Sequence, residues 1–217
     1  MKILYQDAHI LVAVKPVGYL SEPGGGKSFP DALSAHLREQ GEKDSIFTVH
    51  RLDKVVGGVM VFARTQKAAS VLTQAVASRD VEKEYRAVLR GKPEQEEATL
   101  TDLLFRDASK NKTYVVQRMR KGVRDASLAY KTVGTAEKDG QPLTLVAVQL
   151  HTGRTHQIRV QFSSRKLPLL GDIRYGSKDP DCTTALWSHR LKFRHPITGK
   201  DAEFLCDPPE EYPWNLF

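Results

Sequence analysis

Cysteine is scarce in this chain: 217 residues hold only Cys182 and Cys206. Neither stands in a CxxC or other metal-ligand spacing, which argues against a zinc ribbon or a disulfide framework and leaves two reduced, structural thiols. Long apolar runs are also lacking, since none approaches the ~18 residues of a membrane span. The opening stretch MKILYQDAHILVAVKPVG is interrupted at Asp7, His9 and Lys15, so it has no continuous signal-peptide core. These absences predict a soluble, cytoplasmic protein. Acid is in deficit too, with 26 Asp plus Glu against 33 Lys plus Arg, a net charge of +7 and a pI near 9.4. Such a balance favours a polyanionic partner. The length suits a single domain over 1–217, without internal repeat or flexible linker, although Lys92 to Glu97 reads as a polar loop.

Strands alternate with a few helices along the chain. Ile10 to Val14 reads as a strand stopped by Lys15 Pro16, and a turn-rich loop follows from Ser21 to Ser28. Asp31 to Gln40 predicts a helix, with Leu33 and Leu37 one turn apart and Gly41 as its stop. Ile46 to Val49 and Val59 to Phe62 read as strands flanking a polar turn. Thr65 is an N-cap candidate for a helix to Ser78 whose apolar face is Ala68, Val71, Leu72, Ala75 and Val76. Glu84 to Leu89 alternates as a strand, and Ala126 to Val133 and Leu143 to Leu150 form a hairpin across Lys138 Asp139 Gly140. Thr155 is expected to cap a short helix with Ile158 and Phe162 facing the core and Arg159 towards a cleft edge.

Two segments carry candidate chemistry: His50 Arg51 Leu52 Asp53, and Gly153 Arg154 Thr155 His156 Gln157 Ile158 Arg159. Asp53 admits three readings, a surface turn acid, a cap or a catalytic carboxylate, and a lone turn Asp is most often the first. A nucleophilic carboxylate must stay ionised in a partly dry site, which an arginine promotes, and Arg51 and Arg159 are the candidates. Tyr85, inside KEYRAVLR, is either a core strand aromatic, the commoner outcome, or a stacking platform for a base. Gly24 to Ser28 imitates a phosphate-binding loop, but Ser21 stands where the first glycine belongs. HRLD is not the kinase HRD and lacks its companion motifs. His151 and His156 have no third ligand at a recognisable spacing.

At these residues the chain resembles the RluA-type pseudouridine synthases, which isomerise uridine to pseudouridine in ribosomal or transfer RNA. The likeness runs through ILVAVKP (Ile10 to Pro16), VHRLD (Val49 to Asp53), KEYRAVLRG (Lys83 to Gly91), HTGRTHQIRVQ (His151 to Gln161), PLLGDIRYG (Pro168 to Gly176) and LKFRHPITGK (Leu191 to Lys200). The resemblance implies that Asp53 is the catalytic aspartate, Tyr85 the tyrosine packing on the target base, and Arg159 the basic partner of the aspartate. It implies RNA-binding roles for His50, Arg51, Arg154, Thr155, His156 and Gln157, with Arg51 filling in for the flipped nucleotide. The implied fold is α+β, a mixed, largely antiparallel central sheet with flanking helices and loops around an RNA-binding catalytic cleft. RNA is the expected partner, with no cofactor, no metal and no membrane, and the protein is expected to act as a monomer.

Two departures stand out. The family usually has Thr Ser Gly where this chain has Val56 Gly57 Gly58, so two hydroxyls are missing near the aspartate. Many relatives also carry an N-terminal RNA-binding domain, whereas here the catalytic pattern begins almost at Met1, so target recognition is expected from the catalytic domain itself. The first departure keeps a non-catalytic RNA-binding protein as the alternative reading, and a nucleotide-binding enzyme using Lys27 is a weaker third.

Overall fold

The computed structural model describes every residue except Gly25, which falls in the Gly24 to Ser28 segment. In chain order the elements begin β1 (Lys2–Gln6), β2 (Ile10–Lys15), α1 (Phe29–Glu39), β3 (Phe47–Thr48), β4 (Gly57–Ala63) and α2 (Gln66–Ser78). They continue β5 (Glu82–Arg90), β6 (Glu97–Asp107), β7 (Lys112–Val116), β8 (Val123–Lys138), β9 (Gln141–Leu150), α3 (Gln157–Ser163), β10 (Leu186–Arg194) and β11 (Asp201–Leu205). The class is α+β, with mixed and largely antiparallel strand pairing. The contacts divide the chain into two compact units, Met1–Lys83 with Trp187–Asp207, and Glu84–Leu186 with Pro208–Phe217.

In the first unit the strands lie in the order β1, β2, β4, β10, with β11 added to β10 and β3 to β4. The runs ILVAVK and GGVMVFA are buried at every position, as expected of strands covered on both faces. They pair antiparallel from Ile10 with Ala63 to Lys15 with Gly58. β10 joins β4 in parallel at Trp187 with Gly57 and Ser188 with Gly58. That junction requires glycine twice. A Cβ on Gly57 would overlap the Trp187 ring, and Gly58, at φ +119°, would drive one into the Ser188 backbone. Gly57 packs on the Trp187 ring and Gly58 on the Ser188 backbone, which gives the absence of a serine at position 57 a structural cause.

Helix starts follow the cap residues. Ser28 accepts a bond from the Asp31 N–H at 3.2 Å, so α1 begins at Phe29, two residues before the expected start, with Pro30 in its first turn. The segment resembling a phosphate loop therefore does open a helix, but its serine is used as the cap. Thr65 caps α2 as expected, accepting from the Ala68 N–H at 3.3 Å. Phe29 meets Phe62 edge-on at 5.8 Å between ring centroids, seating α1 on β4.

The second unit is an antiparallel sheet in the order β5, β9, β8, β6, β7. The β8–β9 hairpin turns at Asp139 and Gly140, both at positive φ (52° and 71°), the geometry of a tight two-residue hairpin turn. β8 is longer than the sequence pattern indicates and β6 and β7 are additional strands, because half-exposed strands towards the sheet edge alternate only weakly in polarity. Leu104, Ala126, Val160 and Tyr175 form a core cluster under the sheet, and α3 is anchored in it through Val160.

Candidate active site

Asp53 belongs to the first unit. The chain leaves β3, passes through buried His50 and reaches a turn closed by the Val56 N–H donating to the Asp53 carbonyl at 2.9 Å. Both neighbours of Asp53 are pinned from one strap of chain, Lys15 to Ser21. Ser21 Oγ donates to the Leu52 carbonyl at 2.8 Å and accepts from its N–H at 3.0 Å, while the Gly18 N–H donates to the Lys54 carbonyl at 2.8 Å. Buried Lys15 holds the strap in shape by donating to the Pro16 and Tyr19 carbonyls at 3.0 and 2.8 Å. Burial pushes the Lys15 ammonium down to about 8, and the Asp53 charge acts in the opposite direction. An Asp53 carboxylate, half-buried, therefore sits in the field of a buried cation.

His50 and Arg51 play different parts. His50 Nε2 accepts the Val61 N–H at 3.1 Å, so its proton lies on Nδ1, which has no hydrogen-bond partner. Burial first and the Lys83 charge second hold its pKa well below the ordinary range, keeping the ring neutral. That arrangement suits an internal brace rather than a phosphate contact. Arg51 is exposed, paired at 3.0 Å with Glu22, and the two side chains are 56% and 59% accessible. A pair so wet is worth ~1 kcal/mol or less, so the guanidinium can leave it at little cost.

Tyr85, Arg154, Thr155, His156, Gln157 and Arg159 belong to the second unit. Tyr85 is buried on β5 opposite Val148 of β9. The Gly153 turn is organised by Gln157, whose Oε1 accepts from Thr152 Oγ1 at 2.7 Å and the Arg154 N–H at 3.0 Å, and whose Nε2 donates to the Ser127 carbonyl at 3.0 Å. Gln157 is thus buried and committed to shaping the turn. The residue at the α3 N-terminus is His156, in the left-handed region at φ 56°, instead of Thr155, and no side chain caps it. Thr155 is displaced from that position because its carbonyl accepts from Thr113 Oγ1 at 2.9 Å, which pulls the turn against β7. His156 Nδ1 lies 2.9 Å from the Tyr175 hydroxyl, which also accepts the Thr113 N–H. Arg154 Nε donates to the Asp125 carbonyl at 2.9 Å.

Arg159 is buried, 4% accessible. Its helix position, one residue from Ile158, left its direction open, and the deciding interaction is long-range. Nε and Nη2 donate to the two carboxylate oxygens of Asp172 at 2.7 and 2.8 Å, a fork of charge-assisted bonds, and the guanidinium lies 5.0 Å from the Tyr175 ring centroid. Sequence reasoning assigned no duty to Asp172, Tyr175, Ser21 or Lys15. The clue was their location inside the segments PLLGDIRYG and ILVAVKP, together with Ser21 standing in a failed glycine position. Among the described residues no three His, Cys, Asp or Glu side chains gather as a metal site.

A family model described as RNA pseudouridylate synthase matches residues 9–164. The chain belongs to the RNA pseudouridylate synthase family. Its relatives include the uncharacterized RNA pseudouridine synthase YhcT of Bacillus subtilis, 32% identical over 215 residues and spanning 95% of this chain and 70% of that one. Ribosomal large subunit pseudouridine synthase D of Vibrio vulnificus is 33% identical over 229 residues, covering 97% and 68%. The structure of human RNA pseudouridylate synthase domain containing 1 superimposes with a TM-score of 0.79 at 23% identity, over 98% of this chain and 84% of that chain, which supports the fold. Members of this family are isomerases, and no helix of this synthase is long and apolar enough to cross a membrane among the described residues.

Proposed function

We propose that this pseudouridine synthase acts as a monomer in the cytoplasm on a uridine of ribosomal or transfer RNA, with Asp53 as the covalent catalyst. Large-subunit ribosomal RNA is favoured by relatives named ribosomal large subunit pseudouridine synthase D. The observation that carries the reading is the Asp53 turn, held on both sides by Ser21 and Gly18 beside a buried lysine. Such bracing is expected where a side chain must be held to a narrow geometry.

The reaction breaks the bond from the ribose to a uracil nitrogen and makes one to a ring carbon. The proton lost at that carbon is balanced by one gained at the nitrogen, so neither redox chemistry nor an energy donor is required. A paired uridine must first be flipped, at a cost of a few kcal/mol. In this reading Tyr85 packs on the extruded base and Arg51, loosely held by Glu22, moves into the space it leaves. Asp53 adds either to the uracil ring or to the sugar carbon, and Arg159 orients the carboxylate. Arg154, Thr155 and His156 line the approach to the RNA.

The test is single-turnover pseudouridine formation on cellular RNA, without nucleotide or added metal, by the wild type and by Asp53→Asn. Asparagine is nearly isosteric and a poor nucleophile, so turnover should fall to background while RNA affinity stays within a small factor. Retained catalysis in the variant rejects Asp53 as the nucleophile. Mapping pseudouridines in RNA made with and without the protein identifies the target.

A further inference from the structure

Within the second unit an open pocket of about 220 Å³ is lined by Leu104, Arg106, Thr113, Arg124, Arg154 and Thr155, with Gly122 and Gly153 contributing backbone. Strand register builds it. Leu104 and Arg106 lie two apart on β6 and so share a face; Leu104 is paired with Arg124 of β8, and Arg106 with Thr113 of β7. The fourth side is the Gly153 turn, drawn in by the bond from Thr113 Oγ1 to the Thr155 carbonyl. Three guanidiniums thus surround a space several times the ~30 Å³ of one water, and no carboxylate is among the lining residues.

The arginines are only partly engaged. The Arg106 side chain has no hydrogen bond or ion pair among the described residues, its backbone being paired with Thr113. Arg124 donates from Nη1 to the Val123 carbonyl at 3.0 Å, leaving its other N–H groups available. Arg154 donates from Nε to the Asp125 carbonyl, and its Nη2 lies 3.5 Å from Asp125 Oδ1, a contact that orients it without neutralising the other two. From Leu104 to Arg124 the chain carries seven Lys or Arg and one acid, Asp107, so the surroundings share the same sign. Three like charges with one acid, Asp125, paired to one of them still repel each other, and an anion with several acceptor oxygens relieves that repulsion. Forked guanidiniums suit a phosphate.

We infer that the pocket of Arg106, Arg124 and Arg154 takes a phosphodiester of the RNA strand that carries the target uridine. The inference rests on the synthase reading above and adds Arg106 and Arg124 to the RNA-binding residues. Placement beside the Gly153 turn, which carries Arg154, Thr155 and His156 towards the RNA, puts the backbone contact next to the segment that approaches the substrate.

The experiment is a filter-binding titration of a mixed-sequence single-stranded RNA against potassium chloride. The proteins compared are the wild type, Arg106→Gln, Arg124→Gln, the double variant, the charge-retaining Arg106→Lys with Arg124→Lys, and Lys67→Gln on α2 as a charge-matched control. Each glutamine should weaken binding roughly tenfold and lower the slope of log affinity against log salt by about 1, while the lysine pair and Lys67→Gln keep the slope near wild type. A folded double glutamine variant with the wild-type slope overturns the inference. So does inorganic phosphate binding the arginines, followed by their side-chain NMR resonances, as tightly as the RNA does, because the site would then serve a free ion. Pseudouridine formation by the wild type is read on the same RNA preparation. Arginine-dependent binding without any pseudouridine sinks the synthase reading and spares the pocket, whereas normal turnover with arginine-independent binding does the reverse.

Discussion

Ser21 encloses Leu52 with one hydroxyl, donating to its carbonyl at 2.8 Å and accepting from its N–H at 3.0 Å, immediately before Asp53. Ser21→Ala removes both bonds in a buried setting and leaves a backbone donor and acceptor unsatisfied, which costs about 1 to 3 kcal/mol each before relaxation. Urea unfolding should show the loss. Single-turnover pseudouridine formation should fall by roughly tenfold or more with little change in RNA affinity, because a small displacement of the aspartate turn is enough to spoil alignment. Unchanged turnover would remove the strap from the mechanism.

The Arg159–Asp172 fork predicts a thermodynamic coupling. Removing Asp172 takes a bidentate charge partner away from a buried guanidinium, so Asp172→Ala should destabilise the protein by up to roughly 3 kcal/mol. Arg159→Met should do likewise. Combining Arg159→Met with Asp172→Leu should be less destabilising than the sum of the single changes, measured by a double-mutant cycle in urea. Strict additivity would mean that the two side chains do not depend on each other.

Lys15 and Lys83 predict how stability responds to alkali. Burial lowers both to about 8 from 10.5. Below about pH 8 both lysines are protonated in the folded and unfolded chains, and the burial cost is constant. Between about pH 8 and 10.5 the unfolded chain binds more protons than the folded one, so stability rises with pH through that window. The urea midpoint should climb from pH 8 to 10, and Lys15→Met should flatten part of the climb. Activity should run the other way for the wild type, falling as Lys15 loses the charge beside Asp53. A midpoint that drops through this range would contradict the burial of both ammonium groups.

Gly57→Ser, which restores the residue usual in the family, should destabilise this protein by about 1 to 3 kcal/mol, because its Cβ needs space taken by the Trp187 ring. Trp187→Val should recover part of that loss in the Gly57→Ser background while destabilising the wild type. Thermal melts of the four proteins check it. Destabilisation by the serine that the valine does not relieve would locate the strain elsewhere.

Much of this was legible in the sequence where the signal is local. Apolar runs marked β2 and β4, Thr65 marked the start of α2, and Asp139 Gly140 marked the hairpin turn. The motifs pointed to the family for the same reason, since they are contiguous strings. What stayed hidden was long-range. Ser21 reaches across 31 residues to Leu52, and Arg159 reaches 13 to Asp172, and no periodicity encodes either pairing. β6 and β7 give little signal in the sequence because a half-exposed edge pair alternates only weakly in polarity. Gln157, Thr155 and His156 lie in one motif yet do different work: the first is consumed in shaping the turn, and only packing distinguishes it from its neighbours.

The unit that carries Asp53 is assembled from two stretches, Met1–Lys83 and Trp187–Asp207, with β10 lying parallel to β4. A ribosome delivers the first stretch long before the second. The emerging aspartate turn must therefore wait, with one edge of β4 uncovered at the Gly57 junction, until more than a hundred further residues have been synthesised. Nascent chains halted before residue 187 hold the whole HRLD segment and the whole Gly153 turn but cannot pair β4 with β10 beside the Asp53 turn. Completion of the sheet that seats the aspartate turn is in that sense timed by the translation of β10.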